Sequence, residues 1–336
     1  MKKIKLMEVC GTHTMAIARA GIKKLLPEEI ELVSGPGCPV CVTSQRDIDR
    51  AVEIAGIKDV LMTTFGDMVR VPGSRSSFQD AAESGADVLV VYSCLDALRI
   101  AEENPSRRVV FMGVGFETTS PTAAATIMEA KKRKIRNFFL LSNFKVIFPA
   151  LEAIAGSDKI QIDGFICPGH VSVITGSAPY ERIAARYGKP CVITGFDEID
   201  IIKGVKRLVD QVNKGDSKVE IEYKRAVKKK GNRKANKILQ SVFEQGDSEW
   251  RGLGKIKKSG LRLKKEYRQF DAEKEFNVNV PDVPLPKGCL CGDVLQGISS
   301  PRDCRLFGKK CTPGSPVGPC MVSSEGTCAA AYRYGG

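Results

Sequence analysis

The strongest constraint on this chain is an alternation of short apolar runs with helical patterns, sustained to about residue 212. Runs at 31–34, 60–63, 88–92, 109–113, 138–142, 164–167 and 191–194 read as strands buried on both faces. Between them, helical spacing recurs over 44–55, 78–84, 95–103, 122–132, 148–155, 180–187 and 198–213. Strands of this kind, each followed by a helix, make mostly parallel sheets covered on both sides. Seven of them suit two α/β lobes, and a break near Ser120 gives expected units of 1–120 and 121–212. A third unit, 213–336, opens with a basic connector. A strand is expected over 218–223 and a helical face over 237–244, after which Gly, Pro and Lys dominate and periodicity fades.

The chain has 336 residues, 43% of them apolar, which is well above what a disordered chain carries. It contains no apolar stretch of the roughly 18–20 residues that cross a bilayer. The basic start lacks the apolar core of an export signal, so the expectation is a cytoplasmic protein with no membrane partner. Twelve cysteines in a reducing compartment point to metal or redox chemistry rather than a disulfide framework. The net charge of +13 is uneven, because residues 213–336 hold 25 Lys and Arg against 14 Asp and Glu. The basic run has no interleaved aromatics for stacking, so it reads as a solvated connector and no nucleic-acid partner is expected.

Ligands of doubly wound sheets bind beyond the carboxyl ends of the strands. Those positions carry an unusual set here. Cys-Gly-Thr-His-Thr stands at 10–14 and Gly-Pro-Gly-Cys-Pro-Val-Cys at 35–41. Thr-Thr-Phe-Gly-Asp follows at 63–67, Gly-Val-Gly-Phe-Glu-Thr-Thr at 113–119, and Cys-Pro-Gly-His at 167–170. Both histidines of the chain, His13 and His170, belong to this set. Cys38 and Cys41 form a Cys-x-x-Cys at a helix start, where backbone N–H groups favour a nucleophilic, oxidisable or metal-binding thiolate. Cys10 with His13 suits either a nucleophile and its base or two ligands of one metal. Glu117 suits an acid, a base or a ligand, and Asp67 orders its loop. The 113–119 turn lacks both nucleotide-binding glycine patterns. Cys94 and Cys191 read as packed thiols.

Six cysteines, Cys289, Cys291, Cys304, Cys311, Cys320 and Cys328, crowd a segment rich in Gly and Pro and poor in core formers, which needs a staple. An all-cysteine zinc site and a [4Fe–4S] cluster both suit such a segment. The irregular gaps and two surplus thiols fit the iron–sulfur choice better, and the spare pair could exchange electrons as a dithiol and disulfide.

Taken together, the motifs at 10–14, 35–41, 64–67, 115–119, 167–172 and 321–326 resemble those of the HypD family of [NiFe]-hydrogenase maturation proteins, over essentially the whole chain. The resemblance implies two α/β domains and a C-terminal cluster domain. It also implies a scaffold, with no independent turnover, on which the Fe(CN)2CO group is assembled with the small partner HypC. HypE, carrying a thiocyanate made with HypF, would deliver the cyanide. Carried over by position, Cys10 is an iron ligand, and Cys38 and Cys41 are a redox dithiol or further iron ligands. His13, His170, Asp67 and Glu117 form the polar shell. The family's cluster spacing falls on Cys289, Cys304, Cys311 and Cys328, leaving Cys291 and Cys320 as the spare pair. The resemblance further implies a monomer joining transient complexes. A different class, a thiol–disulfide oxidoreductase resembling ferredoxin:thioredoxin reductase, is the alternative reading.

Overall fold

The computed structural model describes residues 3–335. Its strands are β1 (Ile4–Glu8), β2 (Ile30–Ser34), β3 (Val60–Thr64), β4 (Asp87–Val90), β5 (Arg108–Gly115), β6 (Phe138–Phe144), β7 (Gly164–Cys167), β8 (Cys191–Ile193), β9 (Val219–Ile221), β10 (Phe243–Trp250) and β11 (Gly254–Leu263). The first nine form two parallel sheets, ordered β2-β1-β7-β8-β9 and β4-β3-β5-β6, and β10 and β11 form an antiparallel hairpin. The two α/β lobes are therefore present. All seven expected strands occur within a few residues of their sequence limits, and so do the helices between them, from Gln45–Ala55 to Glu198–Lys214.

Period-two alternation sends the two faces of each sheet into different cores. Leu6, Ile166 and Val192 of the five-stranded sheet pack with Ile17, Ile201 and Leu208 of the covering helices. Their neighbours Met7, Phe165 and Cys191 point the other way. In the four-stranded sheet Val109, Phe111, Phe138 and Leu140 face the hairpin and the helix Ser120–Lys132. Val110, Met112, Phe139 and Leu141 turn inward to join Met7 and Phe165. One central core is thus shared by both sheets, and each large side chain buried there contributes about 1.5–3 kcal/mol. Cys38, Cys41, Cys291, Cys320 and Trp250 belong to it.

The division at Ser120 is corrected. Ser120 begins the helix between β5 and β6, which pair in register from Val109↔Phe138 to Gly115↔Phe144 and so belong to one lobe. The chain builds β1 and β2, leaves to make the whole four-stranded sheet, and returns to lay β7 against β1. Local periodicity carries no trace of such a return, because it records element type and not neighbours. The unit 213–336 is also divided. β9 closes the five-stranded sheet, and the hairpin lies on β6, with Val146 N–H donating to Ser259 O at 2.8 Å and Ser142 Oγ to Leu261 O at 2.7 Å. The six-cysteine segment lies beyond both.

Among the elements unannounced by the sequence pattern are β1, the helix Gly11–Arg19 and the hairpin. The expected helical face at 237–244 is the end of the helix Arg233–Val242, which passes directly into β10. Among the described residues, no helix is long and apolar enough to cross a membrane.

Candidate functional site

Strand order reverses once in each sheet, and a parallel sheet opens a crevice at that point. In the five-stranded sheet the reversal lies between β1 and β7. Cys10 stands two residues beyond β1, Cys167 ends β7 and His170 follows it. In the four-stranded sheet it lies between β3 and β5, whose ends carry Asp67 and Glu117. Four of the five strand-end motifs therefore occupy the two reversal points, and the fifth, at 35–41, follows the edge strand β2.

Cys10 caps the helix Gly11–Arg19 with extended backbone. Its own N–H donates to Glu8 Oε2 at 3.1 Å, and its sulfur faces the N–H groups of His13 and Thr12. Burial pushes the thiol up to about 12, so Cys10 is a neutral thiol. Gly37 brings the Cys38 loop onto it. Gly11 N–H donates to Gly37 O at 3.1 Å, and a Cβ on Gly37 would lie 2.1 Å from Cys10 N. Only glycine permits that approach.

Cys38 caps the four-residue helix Pro39–Val42, accepting the Cys41 N–H at 3.2 Å. Its thiol donates to Ser323 Oγ at 3.3 Å. Cys41 is fully buried against Cys38 and Cys320, and burial followed by those neighbouring thiols holds its own thiol well above the ordinary range. The Cys-x-x-Cys is thus asymmetric: a backbone N–H reaches the Cys38 sulfur, while Cys41 is packed among thiols.

His13 is buried, with Nε2 at 2.8 Å from Gly195 O. A carbonyl only accepts, so the proton is on Nε2 and Nδ1 carries a lone pair, which has no partner. Burial lowers the imidazole to about 4 and keeps it neutral. His13 and His170 sit on Phe196 at centroid distances of 4.8 and 4.1 Å, so one aromatic ring joins the two histidines. Burial lowers His170 as well, against the pull of Glu325.

Asp67 and Glu117 have more indirect placements. Asp67 Oδ2 accepts from Ser323 Oγ at 3.2 Å, Ser324 N–H at 3.0 Å and Ser324 Oγ at 3.0 Å. It therefore holds the turn that touches Cys38. Glu117 Oε1 accepts the Ile147 N–H at 3.2 Å, Oε2 has no partner, and burial pushes the carboxyl up to about 7.

The six C-terminal cysteines line one apolar pocket. Cys320 belongs both to this pocket and to the Cys41 contact, so the pocket and the crevice share a wall. Within the pocket Cys289 donates to Cys291 and holds it below the ordinary thiol range, with Arg251 adding to that effect and burial opposing it. Among the described residues no three His, Cys, Asp or Glu side chains are grouped as ligands of a single ion.

Reading the motifs one by one misses three participants. Glu325 accepts from Thr12 Oγ1 at 2.6 Å and acts electrostatically on Cys10 and His170. Ser323 links Cys38 to Asp67. Glu8 accepts from Thr14 Oγ1 at 2.5 Å beneath Cys10, and burial raises it to about 7. Ser323 and Glu325 do stand inside the 321–326 motif, which was the available signal.

The chain matches the family model HypD, described as "Hydrogenase formation hypA family", over residues 1–335. It is 46% identical to the hydrogenase maturation factor HypD2 of Bradyrhizobium diazoefficiens, across 99% of this chain and 90% of that protein. It is 45% identical to the hydrogenase maturation factor HypD of Cupriavidus necator and 46% identical to that of Escherichia coli K12, again across 99% of this chain and 90% of each relative. With four strand-end motifs gathered at the reversal points and near-complete alignment to these relatives, the chain belongs to the HypD family of hydrogenase maturation factors.

Proposed function

We propose that the crevice beyond β1 is where an iron ion, as substrate, receives cyanide and carbon monoxide to become the Fe(CN)2CO group. HypC shares the iron, and HypE delivers cyanide as a thiocyanate. The observation that carries this reading is the gathering of Cys10, Cys38 and Cys41 at one sheet end, with Cys41 against Cys320 of the six-thiol pocket. Soft thiolates suit iron that strong-field ligands stabilise, and Cys10, raised by burial, gives up its proton only to a cation.

Releasing cyanide from a thiocyanate takes two electrons. The S–C bond breaks as Cys38 and Cys41 form a disulfide; cyanide leaves for the iron, one thiol proton goes to the departing sulfur, and the other goes to solvent. Exchange with the Cys320 and Cys291 thiols restores the dithiol, moving the disulfide into the pocket.

The pocket's donor set fits a resident [4Fe–4S] cluster. It is apolar and lined by all six thiols, two more than the four thiolates that a cluster takes. Cys289, Cys304, Cys311 and Cys328 would hold that cluster, and its chemistry when bound is one-electron transfer.

Infrared spectra of protein purified anaerobically with its partners test the proposal. Cyanide and carbonyl stretching bands are expected in the parent and absent from Cys10→Ala, Cys38→Ala and Cys41→Ala variants that remain folded. Bands that survive all three substitutions defeat the assignment. The Cys41–Cys320 contact also suits a plain thiol–disulfide oxidoreductase, which would show protein-disulfide turnover and no such bands.

A further inference from the structure

Arg251 is 2% exposed, and its Nε, Nη1 and Nη2 atoms have no nitrogen or oxygen hydrogen-bond partner. No carboxylate forms an ion pair with it among the described residues, and its charge is felt instead by the Cys289 and Cys291 thiols. A guanidinium does not lose its proton at accessible pH, so an uncompensated one in a core costs several kcal/mol. The partner its charge faces is therefore the cysteine cluster, through Cys291, and not a carboxylate. The backbone shows how the two are held together. Arg251 lies in the turn between β10 and β11, and its N–H donates to Val42 O at 2.9 Å, beside Cys41. The next residue, Gly252, at φ +77°, meets Gly292 so closely that a Cβ would lie 2.2 Å from Gly292 Cα. The turn is thereby wedged between the Cys38–Cys41 helix and the Cys289–Cys291 segment. A point one Cβ out from Gly318 lies 3.6 Å from Arg251 Nη2 and 3.7 Å from Cys289 Sγ, so the guanidinium and the thiol converge on the same place.

We propose that Arg251 is a positioning residue whose guanidinium is the counter-charge of the anionic iron–sulfur centre held by the six-cysteine pocket, setting how readily that centre accepts an electron. The inference rests on the cluster reading given above. A fixed positive charge in a low-dielectric site favours the more negative, reduced state and raises the potential. Burial shields the effect from added salt.

The experiment is a potentiometric titration of anaerobically purified protein, followed by electron paramagnetic resonance, with iron and sulfide assayed beside it. Arg251→Met, close in volume and uncharged, is expected to keep its iron and sulfide and shift the midpoint to more negative potential. Arg251→Lys should retain most of the parent value. A full complement of iron and sulfide with an unchanged midpoint in the Met variant overturns the proposal. If the Met variant takes up neither, recovery of both in the Lys variant supports the charge, and their loss from both variants overturns it. Absence of iron and sulfide from the parent is a different failure, that of the cluster reading, and shows before any variant is made.

Discussion

At the scale of single residues, buried ionisable groups set how the molecule responds to pH. Glu117 has a backbone donor on one oxygen and nothing on the other, and burial raises it from 4.5 to about 7. Between those values the unfolded chain has lost a proton that the native state keeps. Stability therefore falls as pH rises through that window and stays lower above it. Glu8 adds to the fall. His13, lowered to about 4 from 6.5, acts oppositely: its contribution grows as pH rises from about 4 to 6.5. Glu117→Gln keeps an acceptor for Ile147 N–H and removes the ionisation. Urea titrations should find it a few kcal/mol more stable than the parent at pH 8 and similar at pH 4.5. A variant less stable than the parent at pH 8 would show that the carboxylate has a partner there.

At the scale of elements, the site is assembled by short pieces that hold one another. The turn at Ser323 and Ser324 meets Asp67 through three donors and touches Cys38, so it ties the tail of the chain to the loop beyond β3. Asp67→Ala leaves those donors to water and should cost about 1–3 kcal/mol. It should also speed amide exchange in Pro319–Val322 and open Cys38 to alkylation. Unchanged exchange and labelling there would mean that the turn is held by something else. The same elements mark what was legible in the sequence. The strands of the two sheets announce themselves because both faces are buried, which writes an uninterrupted apolar run. β1 does not, because Lys5 interrupts it while reaching out to Glu31 at 3.6 Å. The helix Gly11–Arg19 opens with Gly and Thr, weak helix formers, and depends on packing against the distant helix Thr327–Tyr334. Strand β10 is apolar at its ends and polar between, so it writes no strand pattern of its own. Cysteines and histidines at strand ends could be read as a site. Arg251 could not, since it lies in none of the motifs and its relevance arises only from partners far away in sequence.

At the scale of the molecule, the two sheets share one core, and the chain enters the five-stranded sheet twice. A chain divided at Ser120 leaves β5 without β6 in one piece, and β1 without β7 on the same side. Neither piece made alone should show a cooperative unfolding transition by circular dichroism. Cooperative melting of 1–120 alone would contradict the shared core. The placement of β1 also bears on synthesis. It pairs with β2 at once, but its other neighbour, β7, leaves the ribosome only after the entire second sheet. Cys10 and Cys38 are made before the second sheet and enclosed after it, and Ser323, which touches Cys38, and Cys320, which touches Cys41, follow later still. A nascent chain therefore offers no finished crevice: enclosure of these thiols waits until the segment carrying Cys320 and Ser323 has been made and has folded back onto them.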